Sequence, residues 1–321
     1  IKNTEIRNVL SEGMMCSEKE LGISEDSSGL LILSNNVKVG EDIRKTLDLD
    51  DYIYDLEILP NRPDYLGIIG IARVLSTVLK KPLKVPKIPI KEDTKSRTSD
   101  NINICLKNSA LCPRYTARII FGITIAESPL WMQIRLKSVG IREINNIVDI
   151  TNYVLMETGQ PLHAFDYNLI SKSNIIIRNA RENEEITTLD GIKRKLSKDM
   201  LIIADSDRAV ALAGIMGGEG SEIGLKTKNI LLESAYFDPI GIRKTSKKLN
   251  ITSESSYRFE RGVDYNGVVY GLNRAANLMQ SIGKGNILKG FIDIFPHKIK
   301  PIIINTRYLR VNKVLGSNIK P

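Results

Sequence analysis

The sequence of 321 residues is poor in cysteine and histidine, with three of the first and two of the second. The cysteines, Cys16, Cys105 and Cys112, form no Cys-x-x-Cys pair, which argues against a disulfide framework. His163 and His297 add too little for a Cys/His zinc site, so no metal is expected. The sequence also lacks a run of about 18 uncharged apolar residues and a signal-peptide pattern. These absences predict a cytoplasmic protein with no membrane partner.

Hydrophobic residues make up 42% of the chain and charged residues 26%, which excludes a disordered protein. Lysine and arginine number 46 against 37 aspartates and glutamates, so the net charge is +9. This excess favours a polyanionic partner, most simply nucleic acid. A prior of roughly 150 residues per domain indicates two domains. Because the first residue is Ile1 and not methionine, we expect a piece of a longer chain.

Apolar residues at three- and four-residue spacing, followed by glycine or proline, predict the helices. They cover residues 66–79, 129–139, 147–158, 239–249, 265–282 and a segment that begins at 310. Ser128 is expected to cap the second of these helices, with Pro129 at its first position. Asp238 and Pro239 are expected to do the same for the fourth.

Apolar runs between turn residues predict the strands. They cover residues 175–177, 200–204, 209–215, 230–233, 290–295 and 302–304. Asp190-Gly191 predicts a hairpin with a type I′ turn. Lysines and prolines after residue 80 are typical of a solvated linker, which is expected to end near Ser109. The fold class predicted is α+β, with truncated neighbours on both sides.

Four stretches could carry chemistry. The glycine-rich residues 213–220 match neither a P-loop nor a dinucleotide fingerprint, and either line a ligand or form a kinked strand. Asn146, Asp149 and Asn152 share one polar edge of a helix, and His163 follows soon after. His163 either contacts a ligand or is an ordinary histidine, and its use with a serine nucleophile stays open.

The other two stretches contain carboxylates. Glu233 lies within an otherwise buried strand, so its carboxylate must be paired, hydrogen-bonded or open to a pocket. Residues 252–264 alternate arginine with glutamate and an aromatic residue, which fits either a salt-bridged turn or a site. The residues alone therefore predict a basic α+β protein with one polar pocket, and they name no substrate.

Several motifs taken together resemble the beta subunit of bacterial phenylalanine–tRNA ligases, and they follow the same order along the chain. They lie at residues 11–17, 60–64, 140–154, 159–166 (Gly-Gln-Pro-Leu-His-Ala-Phe-Asp), 213–218 and 258–264 (Arg-Phe-Glu-Arg-Gly-Val-Asp). The resemblance implies a mixed or antiparallel-sheet editing domain beside a small α/β N-terminal domain. The implied limits are 1–15 for the tail of an inserted tRNA-binding OB-fold, 16–95 for the N-terminal domain, 109–284 for the editing domain and 300–321 for the start of a DNA-binding-like domain.

The resemblance implies post-transfer editing, which is the hydrolysis of mischarged Tyr-tRNA(Phe). A pocket built for phenylalanine rejects a hydroxylated isostere by only ~10²-fold, so a second site is needed. ATP and Mg²⁺ are expected for the holoenzyme but not for this piece, since the alpha subunit carries that chemistry in the family. The implied partners are the alpha subunit, in an α2β2 heterotetramer, and tRNA(Phe). The alternative is a tRNA-binding and subunit-assembly scaffold whose editing site has decayed.

The resemblance also assigns the site residues. His163, Asn152, Thr151 and Arg142 match residues at the ester and water end, where His163 and Asn152 would orient a water. Glu233 matches the glutamate that accepts the tyrosine hydroxyl, in a charge-assisted hydrogen bond of ~1.5–3 kcal/mol. The residues that match the pocket wall are Ala213, Gly214, Gly217, Ser253 and Ser255.

Four positions depart from the common pattern of the family. Glu143 replaces the usual proline, Ser253 and Ser255 replace threonine and alanine, and Tyr257 replaces histidine. Because Ser255 adds a hydroxyl to the pocket wall, we expect pocket selectivity to be the property in which this protein differs most from the family.

Overall fold

Two large β-sheets, two two-stranded sheets and a set of helices make up the structure, a computed structural model that describes residues 4–11, 13, 15–24, 27–33 and 37–320. Residues 1–3, 12 and 14, which belong to the predicted OB-fold tail and to the motif at 11–17, lie outside the described residues. The same holds for the last residue of the segment 300–321. The predicted domain limits stay predictions.

The helices follow the chain in this order: α1 (Ile43–Thr46), α2 (Ile68–Val78), α3 (Thr98–Asn101), α4 (Leu130–Ser138), α5 (Asn146–Thr158), α6 (Pro239–Leu249), α7 (Glu254–Phe259), α8 (Val268–Ile282) and α9 (Tyr308–Leu315). The strands are β1 (Thr4–Ile6), β2 (Val9–Ser11), β3 (Glu92–Arg97), β4 (Asn103–Leu106), β5 (Arg114–Phe121), β6 (Leu162–Asp166), β7 (Asn174–Asn179), β8 (Glu185–Thr187), β9 (Lys193–Lys195), β10 (Leu201–Ala204), β11 (Ala209–Leu212), β12 (Met216–Gly217), β13 (Ile230–Tyr236), β14 (Asn286–Lys289) and β15 (Ile292–Ile294). A 3₁₀ turn at Pro63–Leu66 precedes α2.

Two mixed sheets form the centre of the molecule. One has six strands in the order β3-β14-β5-β13-β6, with β15 also paired to β5. The other has five strands in the order β12-β11-β10-β7-β4. The β3–β14 and β4–β7 pairs are parallel and the other pairs in these sheets are antiparallel. The predicted α+β class with mixed or antiparallel sheets is confirmed.

The six-stranded sheet is buried on both faces. Along β13, Leu231 packs between the two sheets with Tyr115 and Phe165, whereas Leu232 packs on the opposite face with Ile150 of α5 and residues of α8. This alternation follows from the two-residue period of a strand. Side chains at odd positions of β13 therefore point into the space between the sheets, where Glu233 also lies.

The N-terminal part of the chain docks through close backbone contact. Gly67 approaches the Gly159 nitrogen, and Gly70 approaches the Asp64 carbonyl oxygen, too closely for a Cβ at either position. Arg258 of α7 donates from Nε to the Leu66 carbonyl oxygen at 3.1 Å. The motifs at 60–64 and 258–264 thus have a structural use, since they join the 3₁₀ turn and α2 to α5 and α7.

Five local predictions are wrong, and three of them concern a helix cap, a turn and a strand end. Ser128 does not cap α4: the helix begins at Leu130, and the Ser128 hydroxyl donates to Asp149 Oδ2 at 2.6 Å. The hairpin is not of type I′, because the β8–β9 pairing leaves a five-residue loop in which Gly191, but not Asp190, has a positive φ. The predicted strand 209–215 ends at Leu212 as β11.

The other two errors concern the flanking segments. The linker predicted after residue 80 ends before residue 92, because β3 joins the six-stranded sheet and its Glu92 pairs with buried Arg118 at 2.7 Å. The predicted strand 302–304 has no strand partner among the described residues, and its three isoleucines are at least 80% exposed. An apolar run predicts burial, and here nothing in the described chain covers it.

Candidate functional site

A cavity of about 80 Å³ opens between the two sheets. His163 of β6 and Glu233 of β13 line it, together with Gly214, Ser255 of α7 and the ring of Phe237. Ligand pockets for whole small molecules measure roughly 300–1,000 Å³. A cavity of this size and lining therefore suits one amino-acid side chain more than a cofactor.

His163 and Glu233 are direct neighbours across the β6–β13 ladder. Directly opposite residues of an antiparallel pair project to the same face of the sheet. Both side chains consequently enter the space between the sheets, where the Phe165 ring meets the His163 ring edge-to-face at 4.4 Å. The predictions for these two residues converge on one place in the fold.

Glu233 is a carboxyl group in an apolar setting. The residue is 5% exposed, and its Oε2 has no hydrogen-bond partner within the part of the chain that the structure describes. Burial raises the pKa of Glu233 to about 8, and the nearby Tyr115 hydroxyl opposes that shift. Glu233 is thus mostly neutral at pH 7, so the charge-assisted hydrogen bond expected from the sequence requires it to lose a proton first.

His163 is also held in its neutral form. Burial lowers the pKa of His163 to about 4, while the side chain keeps partial exposure. A neutral imidazole can accept a proton from water or orient a water by hydrogen bonding. Its low basicity favours orientation over full proton transfer.

Two glycines make room for the site. A Cβ at Gly217 would lie 2.6 Å from His163 Cε1, so the imidazole packs on bare backbone. Gly214 has a φ of +68°, and a Cβ there would lie 2.7 Å from the Phe237 ring and 3.0 Å from the Phe259 ring. Larger residues at either position would fill the cavity or displace its walls.

The two serines predicted to line the pocket bond to the glycine-rich turn. Ser253 is the N-cap of α7, and its hydroxyl donates to the Ile215 carbonyl oxygen at 2.7 Å. The Ser255 hydroxyl donates to the Gly214 carbonyl oxygen at 3.1 Å. The added hydroxyl of Ser255 is thus engaged with backbone, although the residue lines the cavity. Ala213 is 1% exposed and lies outside the cavity lining.

The remaining predicted residues lie away from this cavity. Thr151 and Asn152 belong to α5, on the helical side of the six-stranded sheet, and the Thr151 hydroxyl donates to the Val148 carbonyl oxygen of its own helix. Arg142 is exposed, and Glu143 pairs with Lys137 at 3.0 Å. The structure does not bring these residues together with Glu233.

Three other side chains singled out from the sequence make structural contacts. Asn146 donates to the Thr124 carbonyl oxygen, and Asp149 accepts from Ser128 and from the Ile144 amide. Tyr257 lies under the guanidinium of Arg261 at 3.5 Å.

Tyr115 is the neighbour of Glu233 that sequence reasoning missed. It belongs to β5, and its buried hydroxyl lies beside Glu233. The available signal was the alternation of Tyr115, Ala117 and Ile119 along a strand. That signal predicts that the side chains are buried. It does not predict the register between β5 and β13, and the register decides which side chains are neighbours across the sheet.

Metal-binding side chains are not clustered in the described part of the chain. The described residues contain no group of three or more His, Cys, Asp or Glu side chains that could hold a metal ion. Over the same residues, no helix has both the length and the apolar character needed to cross a membrane.

The part of the chain that forms most of the two large sheets matches a known family, the B3/4 domain. A family model of that description matches residues 111–284, and the chain belongs to this family. The chain is 46% identical over 321 residues to the phenylalanine–tRNA ligase beta subunit of Syntrophus aciditrophicus, which covers 99% of this chain and 40% of that protein. It is 43% identical over 321 residues to the subunit of the same name from Clostridium acetobutylicum, with the same coverage. The resemblance inferred from the motifs is confirmed.

The chain spans about 40% of the length of these curated relatives. Among solved structures, an N-terminal fragment of the phenylalanyl-tRNA synthetase beta subunit from Pyrococcus horikoshii matches with a TM-score of 0.44 and 16% identity. That match covers 87% of this chain and 81% of the other.

Proposed function

We propose that the chain is part of a phenylalanine–tRNA ligase beta subunit and that its pocket hydrolyses mischarged Tyr-tRNA(Phe). The observation that carries the proposal is Glu233, a buried carboxyl group whose Oε2 has no partner in the described structure, in a cavity sized for one side chain. A tyrosine ring fits such a setting because its hydroxyl would supply the missing hydrogen bond. A phenylalanine ring would leave the carboxyl group unpaired.

The hydrolytic step needs a water near the ester that joins the amino acid to the tRNA 3′ end. His163 lies directly across the ladder from Glu233, and its neutral imidazole can orient that water. No covalent nucleophile is required, and the vicinal hydroxyl of the tRNA ribose can assist. The parts assigned to Asn152, Thr151 and Arg142 stay predictions, since these residues lie outside the cavity lining.

The partners follow from the same proposal. The alpha subunit would complete an α2β2 ligase, and tRNA(Phe) would be the nucleic acid that the net charge of +9 favours. ATP and Mg²⁺ would serve aminoacylation in the holoenzyme. The hydrolytic step proposed for the pocket requires neither of them.

The test is deacylation of Tyr-tRNA(Phe) by the complete ligase. We expect His163→Ala combined with Glu233→Ala to lower the rate at least 10²-fold, because water orientation and ring recognition are both lost. His297→Ala is the matched control, since His297 is exposed and far along the chain from β6. Wild-type turnover no faster than the uncatalysed ester would sink the proposal and leave the tRNA-binding scaffold.

A further inference from the structure

A second polar group lies buried beside Glu233, the hydroxyl of Tyr115. Tyr115 of β5 is 0% exposed and packs in the core between the sheets. In the β5–β13 ladder, Ala117 lies opposite Glu233 and Tyr115 lies opposite Ala235. Tyr115 is therefore the diagonal neighbour of Glu233, a separation that an aromatic side chain can span.

One atom of each of these two polar groups lacks a hydrogen bond within the described residues. Counting only described residues, neither Tyr115 Oη nor Glu233 Oε2 has a partner. Leaving a buried donor or acceptor unpaired is unfavourable, and a phenylalanine at 115 would fill the same space without that penalty. Packing thus accounts for the ring of Tyr115 but not for its hydroxyl.

We propose that Tyr115 is a positioning residue that sets the preference of the pocket for a hydroxylated ring. Its hydroxyl donates to one carboxylate oxygen of Glu233 and leaves the other oxygen to accept from the hydroxyl of the ligand. This inference rests on the proposed function, because it names the residue that orients Glu233 for a tyrosyl ester. Tyr115 itself touches neither the ester nor the water.

The electrostatics of the pair support this arrangement. Burial is the stronger influence on the pKa of Glu233 and raises it, whereas the Tyr115 hydroxyl lowers it by favouring the ionised carboxylate. The Tyr115 hydroxyl is close enough to Glu233 to influence its pKa, although no hydrogen bond of standard geometry joins Tyr115 Oη to the carboxyl group. Burial, reinforced by the charge of Glu233, raises the pKa of Tyr115, which keeps the phenol protonated as a donor.

The other titratable groups that face the pair do not compete for this hydrogen bond. Burial raises the pKa of the Cys112 thiol, which therefore stays neutral, and Cys112 Sγ already points to the Arg114 carbonyl oxygen at 3.6 Å. Burial holds His163 neutral as well. Tyr115 is accordingly the donor that can fix the orientation of Glu233.

The test compares Tyr115→Phe with wild type in the complete ligase, by following Tyr-tRNA(Phe) hydrolysis from about pH 6 to about pH 9. We expect KM to rise about tenfold, the size of one lost hydrogen bond, with a smaller change in kcat. The acid limb of kcat/KM should move to higher pH, because Glu233 becomes harder to ionise. Tyr236→Phe is the matched control: Tyr236 ends β13, lies outside the cavity lining and should keep the wild-type values.

Whether the wild-type enzyme hydrolyses the ester distinguishes a failure of this inference from a failure of the proposed function. If wild type hydrolyses the ester and Tyr115→Phe shows the same KM and pH profile, the inference is overturned and the proposed function stands. If wild type does not hydrolyse the ester, the proposed function fails, and binding of free L-tyrosine and L-phenylalanine by equilibrium dialysis still decides the inference. Loss of a wild-type tyrosine preference in Tyr115→Phe supports it, and equal behaviour of the two proteins overturns it.

A double-mutant cycle tests the route of action. In a Glu233→Gln background, Tyr115→Phe should cause no further loss of tyrosine preference, because the carboxylate that it positions is gone. A further loss of the same size as in wild type would show that Tyr115 acts on the ligand directly, which contradicts the inference.

Discussion

At the scale of single residues, the pocket holds two ionisable groups in their neutral forms. Glu233 has its pKa raised to about 8 by burial, and His163 has its pKa lowered to about 4 by burial. A Glu⁻–His⁺ pair would form if these values were reversed. The site is therefore a polar but uncharged surface at neutral pH, and its acceptor strength grows as Glu233 ionises.

This arrangement predicts how stability depends on pH. Between its ordinary pKa of 4.5 and about 8, folded Glu233 holds a proton that the unfolded chain has lost, so stability falls as pH rises. His163 acts in the opposite sense between about 4 and 6.5, where the unfolded chain holds the extra proton and stability rises with pH. Above pH 6.5 the effect of Glu233 is no longer opposed by His163.

We expect wild type to lose on the order of 2 kcal/mol of unfolding free energy from Glu233 between pH 6.5 and pH 8. Glu233→Gln should remove that decline, because a neutral amide does not titrate. Urea denaturation at several pH values measures the free energy of unfolding of both proteins. Glu182→Gln, at an exposed position, is the control. A decline of equal slope in Glu233→Gln would show that the burial of Glu233 is not its source.

At the scale of elements, α2 is attached to the sheet domain by few but close contacts. The guanidinium of Arg258 is buried, with Nε on the Leu66 carbonyl oxygen and Nη1 on the Glu254 carboxylate at 2.5 Å. Its Nη2 lies 3.2 Å from Met156 Sδ of α5. One side chain therefore connects α7, α5 and the turn that leads into α2.

Arg258→Lys should loosen α2 without unfolding the sheets. A lysine keeps the charge, but its single ammonium group cannot donate in three directions at once. We expect faster amide hydrogen exchange across Ile68–Val78. The free energy of unfolding should fall by roughly 1.5–3 kcal/mol, which is the contribution of a hydrogen bond to a charged group. Exposed Arg243 of α6 provides the control as Arg243→Lys. Unchanged exchange in α2 would contradict this role for Arg258.

The sequence predicted most helices because their signals are local. The apolar spacing and Gly159 located α5, and Asp238 caps α6 as expected by accepting from the Gly241 amide at 2.7 Å. The errors arise where a distant partner decides the outcome. Ser128 donates its hydroxyl hydrogen bond to Asp149 and does not cap the helix. Tyr115 lies beside Glu233 because of the register between β5 and β13, which no local sequence pattern encodes.

At the scale of the whole molecule, each of the two large sheets is completed by a strand that precedes the predicted boundary at 109. β3 is an edge strand of the six-stranded sheet, and β4 is an edge strand of the five-stranded sheet. Glu92 of β3 also neutralises Arg118, which is 3% exposed. A buried arginine without its carboxylate is strongly unfavourable.

A fragment that begins at residue 109 should therefore be less stable than one that begins at residue 88, if both end at residue 296. The shorter fragment bares the edges of β14 and β7 and leaves Arg118 unpaired, so we expect it to aggregate. Size-exclusion chromatography and thermal unfolding compare the two. Equal solubility and melting temperature would show that β3 and β4 are dispensable.

The parallel pairing of β3 with β14 has a consequence for synthesis on the ribosome. Glu92 accepts from the Gly290 amide, and these two residues are 198 positions apart along the chain. At roughly 5–20 residues per second, β3 leaves the ribosome about 10–40 s before its partner strand exists. During that interval β3 has no partner strand, and its backbone hydrogen-bonding groups are unpaired. Its acidic and basic side chains, Glu92, Asp93, Lys95 and Arg97, are of the type that disfavours pairing of an open strand edge with another chain.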